Sequence, residues 1–185
     1  MKSPQLIDAH NALVAVIDIQ EKLLPAIHNA EQLVERTEWL LNVATDLGVP
    51  VWFTEQYPQG LGHTVPALSK HISKANTVEK SHFSAWQSSE FQKMLRITER
   101  QQIVLVGMET HVCVLQTALD LKHFGFEVFV VNDAVSSRTP ESKQTALARL
   151  EREGVHIVNA EMVTFEWLHD SANPKFKHIS KTYLR

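Results

Sequence analysis

A single cysteine, Cys113, stands in the stretch Gly107-Met108-Glu109-Thr110-His111-Val112-Cys113-Val114-Leu115-Gln116-Thr117. The apolar run Ile103 to Val106 before it reads as a buried strand, and Val112, Leu115, Leu119 and Phe124 after it read as a helix. A thiol in the first turn of a helix meets unpaired N–H groups and the positive end of the helix dipole. Both favour a thiolate, so Cys113 is expected to be placed for ionisation. Nucleophilic catalysis also needs a proton acceptor and donors for an oxyanion. Asp18, which closes the apolar run Ala12 to Ile17, is the candidate base. Lys80 is the candidate third member, a cation that would favour the thiolate and hold the carboxylate. The turn before the helix offers backbone N–H donors at Cys113 and nearby.

Each of these residues also has a plainer reading. A lone cysteine on a helix can be a small buried apolar group. An Asp at a strand end can serve a turn or cap. A single lysine can be solvated. His111 lies two residues from Cys113, and side chains two apart on a helix do not face each other, so it is a poor base for that thiol and reads as a pocket-rim or interface residue. The ten histidines show no His-x-x-x-His or His-Glu-x-x-His spacing, and there is no cysteine cluster, so no metal site is expected. The six glycines form no phosphate-binding loop, and no cofactor is expected.

The elements that must carry these groups alternate. Apolar runs at Ala12 to Ile17, Val49 to Thr54, Ile103 to Val106, Glu127 to Val131 and Val155 to Val158 read as strands, with Thr77 to Lys80 a short extended piece. Helical patterns run from a cap at Asn29 to Leu47 and from Ser88 or Ser89 through Ile97. They continue from the cysteine turn to Gly125, from Thr139-Pro140 to Glu153, and from about Glu161 to His169 before a polar tail. Glu55 to about Asn76 reads as a long irregular loop, a length usually tied to function. This order implies an α/β fold, a three-layer Rossmann-like sandwich with a mostly parallel central sheet flanked by helices, in one domain over residues 1–185. Functional residues of such sheets gather at the carboxyl ends of the strands, so Asp18 and Cys113 are expected on one edge.

The chain has 185 residues, 44% of them hydrophobic and 21% charged, as in an ordinary soluble globular protein. A net charge of -3 argues against a general nucleic-acid or membrane-surface binder. No apolar window is long enough for a transmembrane helix. Met1-Lys2-Ser3-Pro4-Gln5 leads into no apolar segment and does not read as a signal peptide. One cysteine cannot form an internal disulfide, and the expected compartment is a reducing cytoplasm.

Asp18-Ile19-Gln20, Lys80 within Glu79-Lys80-Ser81-His82-Phe83-Ser84-Ala85-Trp86, and Gly107 to Val114 together resemble the Asp, Lys and Cys motifs of the isochorismatase-like cysteine hydrolase superfamily. The closer likeness is to isochorismatase-domain-containing proteins. It is carried by Thr54 to Gly62, His111 to Thr117, Asp133 to Arg138 and Asp170 to Phe176. The resemblance implies a catalytic triad of Asp18, Lys80 and Cys113 and a covalent thioester-type intermediate. It implies an oxyanion hole from the backbone N–H groups of Thr110 and Cys113, and a cis peptide bond at Glu109-Thr110. The metal-binding Asp-x-His pattern of nicotinamidases is absent from Thr54-Glu55-Gln56-Tyr57-Pro58, and isochorismatases proper lack the nucleophilic cysteine. The expected reaction is therefore hydrolysis of an amide-type C–N bond or a related ester, with a non-hydrolytic thiol redox or binding role as the alternative.

Gln20, Gln56, Tyr57, Phe83, Trp86 and His111 are the expected substrate contacts, with Leu61 a further candidate. They form an apolar and aromatic wall with a few amides, suited to a small neutral or weakly polar molecule. Phe83 and Trp86 also read as plain core. The resemblance implies a homo-oligomer, for which Trp167, Leu168 and Phe176 are candidate exposed apolar contacts.

Overall fold

The computed structural model describes residues 3–184. Met1 and Lys2, which begin the stretch read as no signal peptide, lie outside the described residues, as does Arg185. Among the described residues six strands form one sheet: β1 (Ala12–Ile17), β2 (Val51–Gln56), β3 (Thr77–Lys80), β4 (Gln102–Met108), β5 (Glu127–Ser136) and β6 (His156–Val158). Their order is β3-β2-β1-β4-β5-β6, and every pairing is parallel. The chain winds outward from β1 through β2 to β3, then returns to the other side of β1 and winds outward again from β4. The reversal falls between β1 and β4. That is where an open parallel sheet leaves a crevice beyond its carboxyl ends.

Side chains alternate across each strand and feed two cores. Leu13, Ile17, Trp52, Val78, Leu105 and Cys113 share one core. The helices α3 (Ser89–Thr98), α4 (Leu115–His123) and α5 (Pro140–Arg152) cover it. Val14, Val16, Phe53, Val104 and Phe129 share the other core. It lies under α1 (Ala30–Leu47), α6 (Ala160–Leu168) and α7 (Phe176–Tyr183). A three-layer sandwich results, as the alternation of apolar runs requires. Each buried aliphatic or aromatic side chain adds about 1.5–3 kcal/mol of transfer free energy.

The caps follow residue chemistry. Ser88, Thr139 and Asn159 each accept a backbone N–H in the first turn of α3, α5 and α6. Asn29 does not cap α1 with its side chain; it adopts a left-handed backbone with φ 51° that turns the chain into the helix. The stretch read as an irregular loop holds the short helix α2 (Pro58–Leu61) and two 3-10 turns, and the polar tail forms α7. Trp167 and Leu168 are buried against α1 and β5 rather than exposed, because α6 packs its apolar side into the second core. Phe176 packs against the same core.

Gly107 is needed where β4 passes the end of β1. Its φ is +144°, and a Cβ there would lie 2.2 Å from the carbonyl oxygen of Ile17. The β4–β5 register shifts between Leu105 and Gly107: Leu105 pairs with Val130 and Gly107 with Val135, so the extra residues lie in β5, opposite the part of β4 that leads into the cysteine turn.

Candidate active site

Three strand ends and one turn meet at the crevice. Asp18 follows β1 in a left-handed conformation, φ 53°, which swings its side chain out of the strand alternation. Lys80 is the last residue of β3 and shares the face of Val78. The Lys80 ammonium donates to Asp18 Oδ2 at 2.7 Å, and both side chains are only 1% exposed. It also donates to Gln56 Oε1 at 2.8 Å and to the carbonyl oxygens of Phe83 at 3.0 Å and His82 at 3.3 Å. An ammonium has three protons, so these acceptors use all of them. Asp18 Oδ1 accepts from the Thr54 hydroxyl at 2.7 Å.

Cys113 lies in a wide π-type turn, Thr110–Val114, that opens α4. It is 5% exposed. Its thiol is pushed up to about 12, first by burial, then by the charge of Asp18 and a hydrogen bond with that carboxylate; Lys80 works against this and Glu109 adds to it. The thiol is thus protonated at neutral pH. This corrects the expectation of an ionised helix-start cysteine: burial and a touching carboxylate outweigh Lys80 and the helix end. A carboxylate already in contact is the proton acceptor such a thiol needs.

The turn itself also differs from expectation. Among the described residues no peptide bond is cis, so Glu109-Thr110 is trans. The chain is redirected instead by Glu109, whose φ is 56°. The buried Glu109 carboxylate accepts from Arg138 Nε at 2.8 Å and lies 3.6 Å from His111 Nε2. His111 Nδ1 bonds Ser137 Oγ at 3.0 Å. Thr110 is fully buried and, like Cys113, brings its backbone N–H to this turn.

The other sequence-derived residues divide. Gln20 is fully buried and donates to the carbonyls of Gly62 at 2.6 Å and Gln56 at 3.0 Å, while its own carbonyl accepts from Gln56 N at 2.7 Å. Gln56 holds Lys80 through Oε1 and donates through Nε2 to Ser81 O at 2.7 Å. Both amides are thus engaged with protein. Tyr57 and Phe83 are 60% and 53% exposed. Trp86 is buried, stacked on Phe124 at 4.6 Å between centroids. Phe83, Ser81, Ser84 and Gln116 help line a cavity of about 510 Å³ beside the first turns after Cys113. A larger cavity of about 680 Å³ lies over the ends of β5 and β6, lined by Gln32, Asp133 and Lys143 among others, and holds none of these residues.

Thr54, Glu55, Glu109 and Arg138 were given no side-chain role from sequence, although Thr54, Glu55 and Arg138 lie in stretches that carry the resemblance and Glu109 in the peptide expected to be cis. Glu55 is buried and accepts from the N–H and hydroxyl of Thr64 at 2.7 and 2.8 Å, and it contacts His63 Nδ1 at 2.9 Å. It staples the segment after α2 to β2. Beyond that likeness their signal is position at or near a strand end; a Thr in a strand otherwise reads as a β-former. Among the described residues no group of three His, Cys, Asp or Glu side chains is arranged to hold a metal, and no helix is long and apolar enough to cross a membrane.

The family model described as "Isochorismatase domain" matches residues 11–162. The chain is 38% identical over 171 residues to isochorismatase domain-containing protein 2 of Rattus norvegicus, covering 92% of this chain and 80% of the relative. The structure of a protein called MAR1 ribonuclease, from Caenorhabditis elegans, superimposes with a TM-score of 0.90 at 35% identity, covering 97% of this chain and 93% of that one. YcaC from Pseudomonas aeruginosa, in a structure with hexane-2,5-diol and covalent acrylamide, gives a TM-score of 0.91 at 26% identity over 100% of this chain and 94% of that one.

Proposed function

The chain belongs to the isochorismatase family, and on that premise we propose that it is a cysteine-dependent hydrolase acting as one domain on an amide-type C–N bond, or a related ester bond, of a small molecule. The observation that carries this reading is the dry Asp18–Lys80 contact beside the buried Cys113 thiol. A buried ion pair is costly to assemble, and here it lies against the chain's one thiol. The covalent acrylamide in the Pseudomonas aeruginosa protein is a further support, since that fold there carries a covalent adduct.

In this mechanism the Cys113 proton passes to Asp18 as Sγ attacks the carbonyl carbon. The carbonyl oxygen takes the charge and is held by the N–H groups of Thr110 and Cys113. The C–N bond breaks, its nitrogen takes the proton from Asp18 and leaves, and the acyl group remains on Sγ as a thioester. Water then gives a proton to Asp18 and attacks the thioester carbon. The C–S bond breaks, Sγ regains the proton, and a carboxylic acid is released. Lys80 stays a fixed cation, its protons all engaged by Asp18, Gln56 and the two carbonyls. The site's two cations, Lys80 and Arg138, are each paired with a carboxylate, which favours an uncharged substrate. Tyr57, Phe83 and His111 line the approach; Gln20, Gln56 and Trp86 shape it from behind.

A thiol redox or binding role would leave the buried Asp18–Lys80 pair without a use, and with one cysteine it would need an external thiol. On the same cysteine count we place the protein in a reducing cytoplasm. We expect a homo-oligomer, for which Met162 and Phe165, exposed three residues apart on α6, are candidate contacts.

The test is a screen of amides and esters with wild type and Cys113→Ala, followed by intact mass of the enzyme under turnover. Hydrolysis that vanishes in Cys113→Ala, with an acyl group on Cys113 in wild type, is expected. Turnover that survives the substitution overturns the nucleophile. An RNA arm is included because the Caenorhabditis elegans protein is called a ribonuclease. RNA cleavage lost on Cys113→Ala would overturn the small-molecule reading.

A further inference from the structure

The Asp18 carboxylate is held at both oxygens, by two residues from different strands. Lys80 donates to Oδ2 and the Thr54 hydroxyl to Oδ1, each at 2.7 Å. Thr54 also accepts the backbone N–H of Asp18 at 3.2 Å through its own carbonyl, so one residue holds both the main chain and the side chain of the acid. Thr54 sits in β2 opposite Ile17 of β1 and Val78 of β3, and is almost fully buried. Two residues on, and hence on the same face, Gln56 holds Lys80.

A carboxylate turns readily about its last torsion, which is broad and two-fold. One donor on one oxygen leaves that rotation open, and donors on separate oxygens close it. The β-branched side chain of Thr54 is itself stiff about χ1, so its hydroxyl is a fixed donor. Asp18 must meet the thiol, then the leaving group, then water, and each transfer requires the same oriented edge.

We propose that Thr54 is a positioning residue for catalysis, fixing the Asp18 carboxylate against Cys113 through a hydrogen bond to Oδ1 while Lys80 fixes Oδ2. This rests on the hydrolase reading above. Thr54 touches no substrate; it acts through the acid alone.

The test uses p-nitrophenyl acetate as the probe. Wild-type enzyme is expected to release a stoichiometric burst of p-nitrophenolate, with acetyl on Cys113 by intact mass, followed by slower turnover as water removes the acetyl group. Cys113→Ala is the blank for acetylation elsewhere. Thr54→Val is expected to keep the burst amplitude while the acylation and deacylation rate constants fall roughly tenfold or more. Thr54→Ser, which restores the hydroxyl, is expected to return both to within about twofold of wild type. A merely structural role would lower the amplitude with the folded fraction and leave the rate constants alone. Thr54→Ala is read in the same way should the valine variant fail to fold.

Wild-type rate constants in Thr54→Val, or an equal loss in Thr54→Ser, overturn the role of Thr54 while leaving the hydrolase reading standing. Wild type that takes no acetyl on Cys113 overturns that reading, and this role with it.

Discussion

Lys80 Nζ lies 2.7 Å from Asp18 Oδ2 in a contact that water does not reach. Removing one member of such a pair strands the other charge in a dry site. Lys80→Met or Asp18→Asn alone should therefore change stability unequally. The lysine variant leaves a bare carboxylate held only by Thr54 and Cys113 and is expected to lose about 3–5 kcal/mol. The double variant Asp18→Asn/Lys80→Met, with no buried charge, should lose clearly less than the sum of the single losses. Urea unfolding of the four proteins measures the coupling; additive losses would show that the pair is not energetically closed.

Asp18 has two opposed effects on Cys113, and one substitution separates them. Its charge and hydrogen bond help push the thiol from 9.0 to about 12, while Lys80 pulls the other way. In Asp18→Asn the carboxylate charge goes, the amide oxygen can still accept from the thiol, and the Lys80 cation remains. Burial still disfavours the thiolate, but less strongly without the Asp18 charge, and alkylation of the chain's one cysteine by iodoacetamide near pH 7.5 should quicken by about tenfold. Hydrolysis should fall on the order of 100-fold or more, because no base remains for the thiol or for water. Alkylation that is unchanged or slower would mean that Asp18 does not set the state of the thiol.

How much of this was readable in the residues follows from what each one does. Ala12 to Ile17 and Ile103 to Val106 are apolar on both faces, which only a central parallel strand requires, and such strands bring Asp18 and the cysteine turn to one edge. The role of the Thr54 side chain could not be read because threonine suits any strand, and its hydroxyl matters only once β1 and β2 pair in the observed register. The state of Cys113 was misread because local rules see a helix start and not the burial around it. Glu109 taking a left-handed backbone, and Trp167 and Leu168 turning inward on α6, are tertiary outcomes. They depend on Arg138 and on the second core, both remote in sequence.

Gly107 makes the crevice possible, and the cost of filling it can be stated. A methyl group at its Cβ would sit 2.2 Å from Ile17 O, a backbone atom that cannot swing aside, and φ of +144° disfavours any other residue. Gly107→Ala should cost about 1–3 kcal/mol or more in thermal or urea unfolding. It should also slow turnover in whatever fraction folds, because relief comes only by moving β4 away from β1 beside Asp18. A variant with wild-type stability would mean that β4 yields there freely.

The segment after α2 should respond to pH through Glu55 and His63. Burial pushes the Glu55 carboxyl up, but the Thr64 N–H and hydroxyl and the His63 contact outweigh it and hold the group below its ordinary 4.5. His63 is raised above its ordinary 6.5, first by its hydrogen bond to Glu55, then by that charge, with Glu79 and Glu21 adding to it. A lowered carboxyl stabilises the fold above 4.5 and loses that contribution as pH falls through its folded value. A raised histidine stabilises it below 6.5 and loses that contribution as pH rises through its folded value. Both are fully present only between 4.5 and 6.5. Hydrogen-exchange protection of the Thr64 N–H, which donates to Glu55, should be greatest in that window and fall on either side. His63→Ala should flatten the alkaline fall and leave the acid one. An alkaline fall that persists in His63→Ala would assign it to another group.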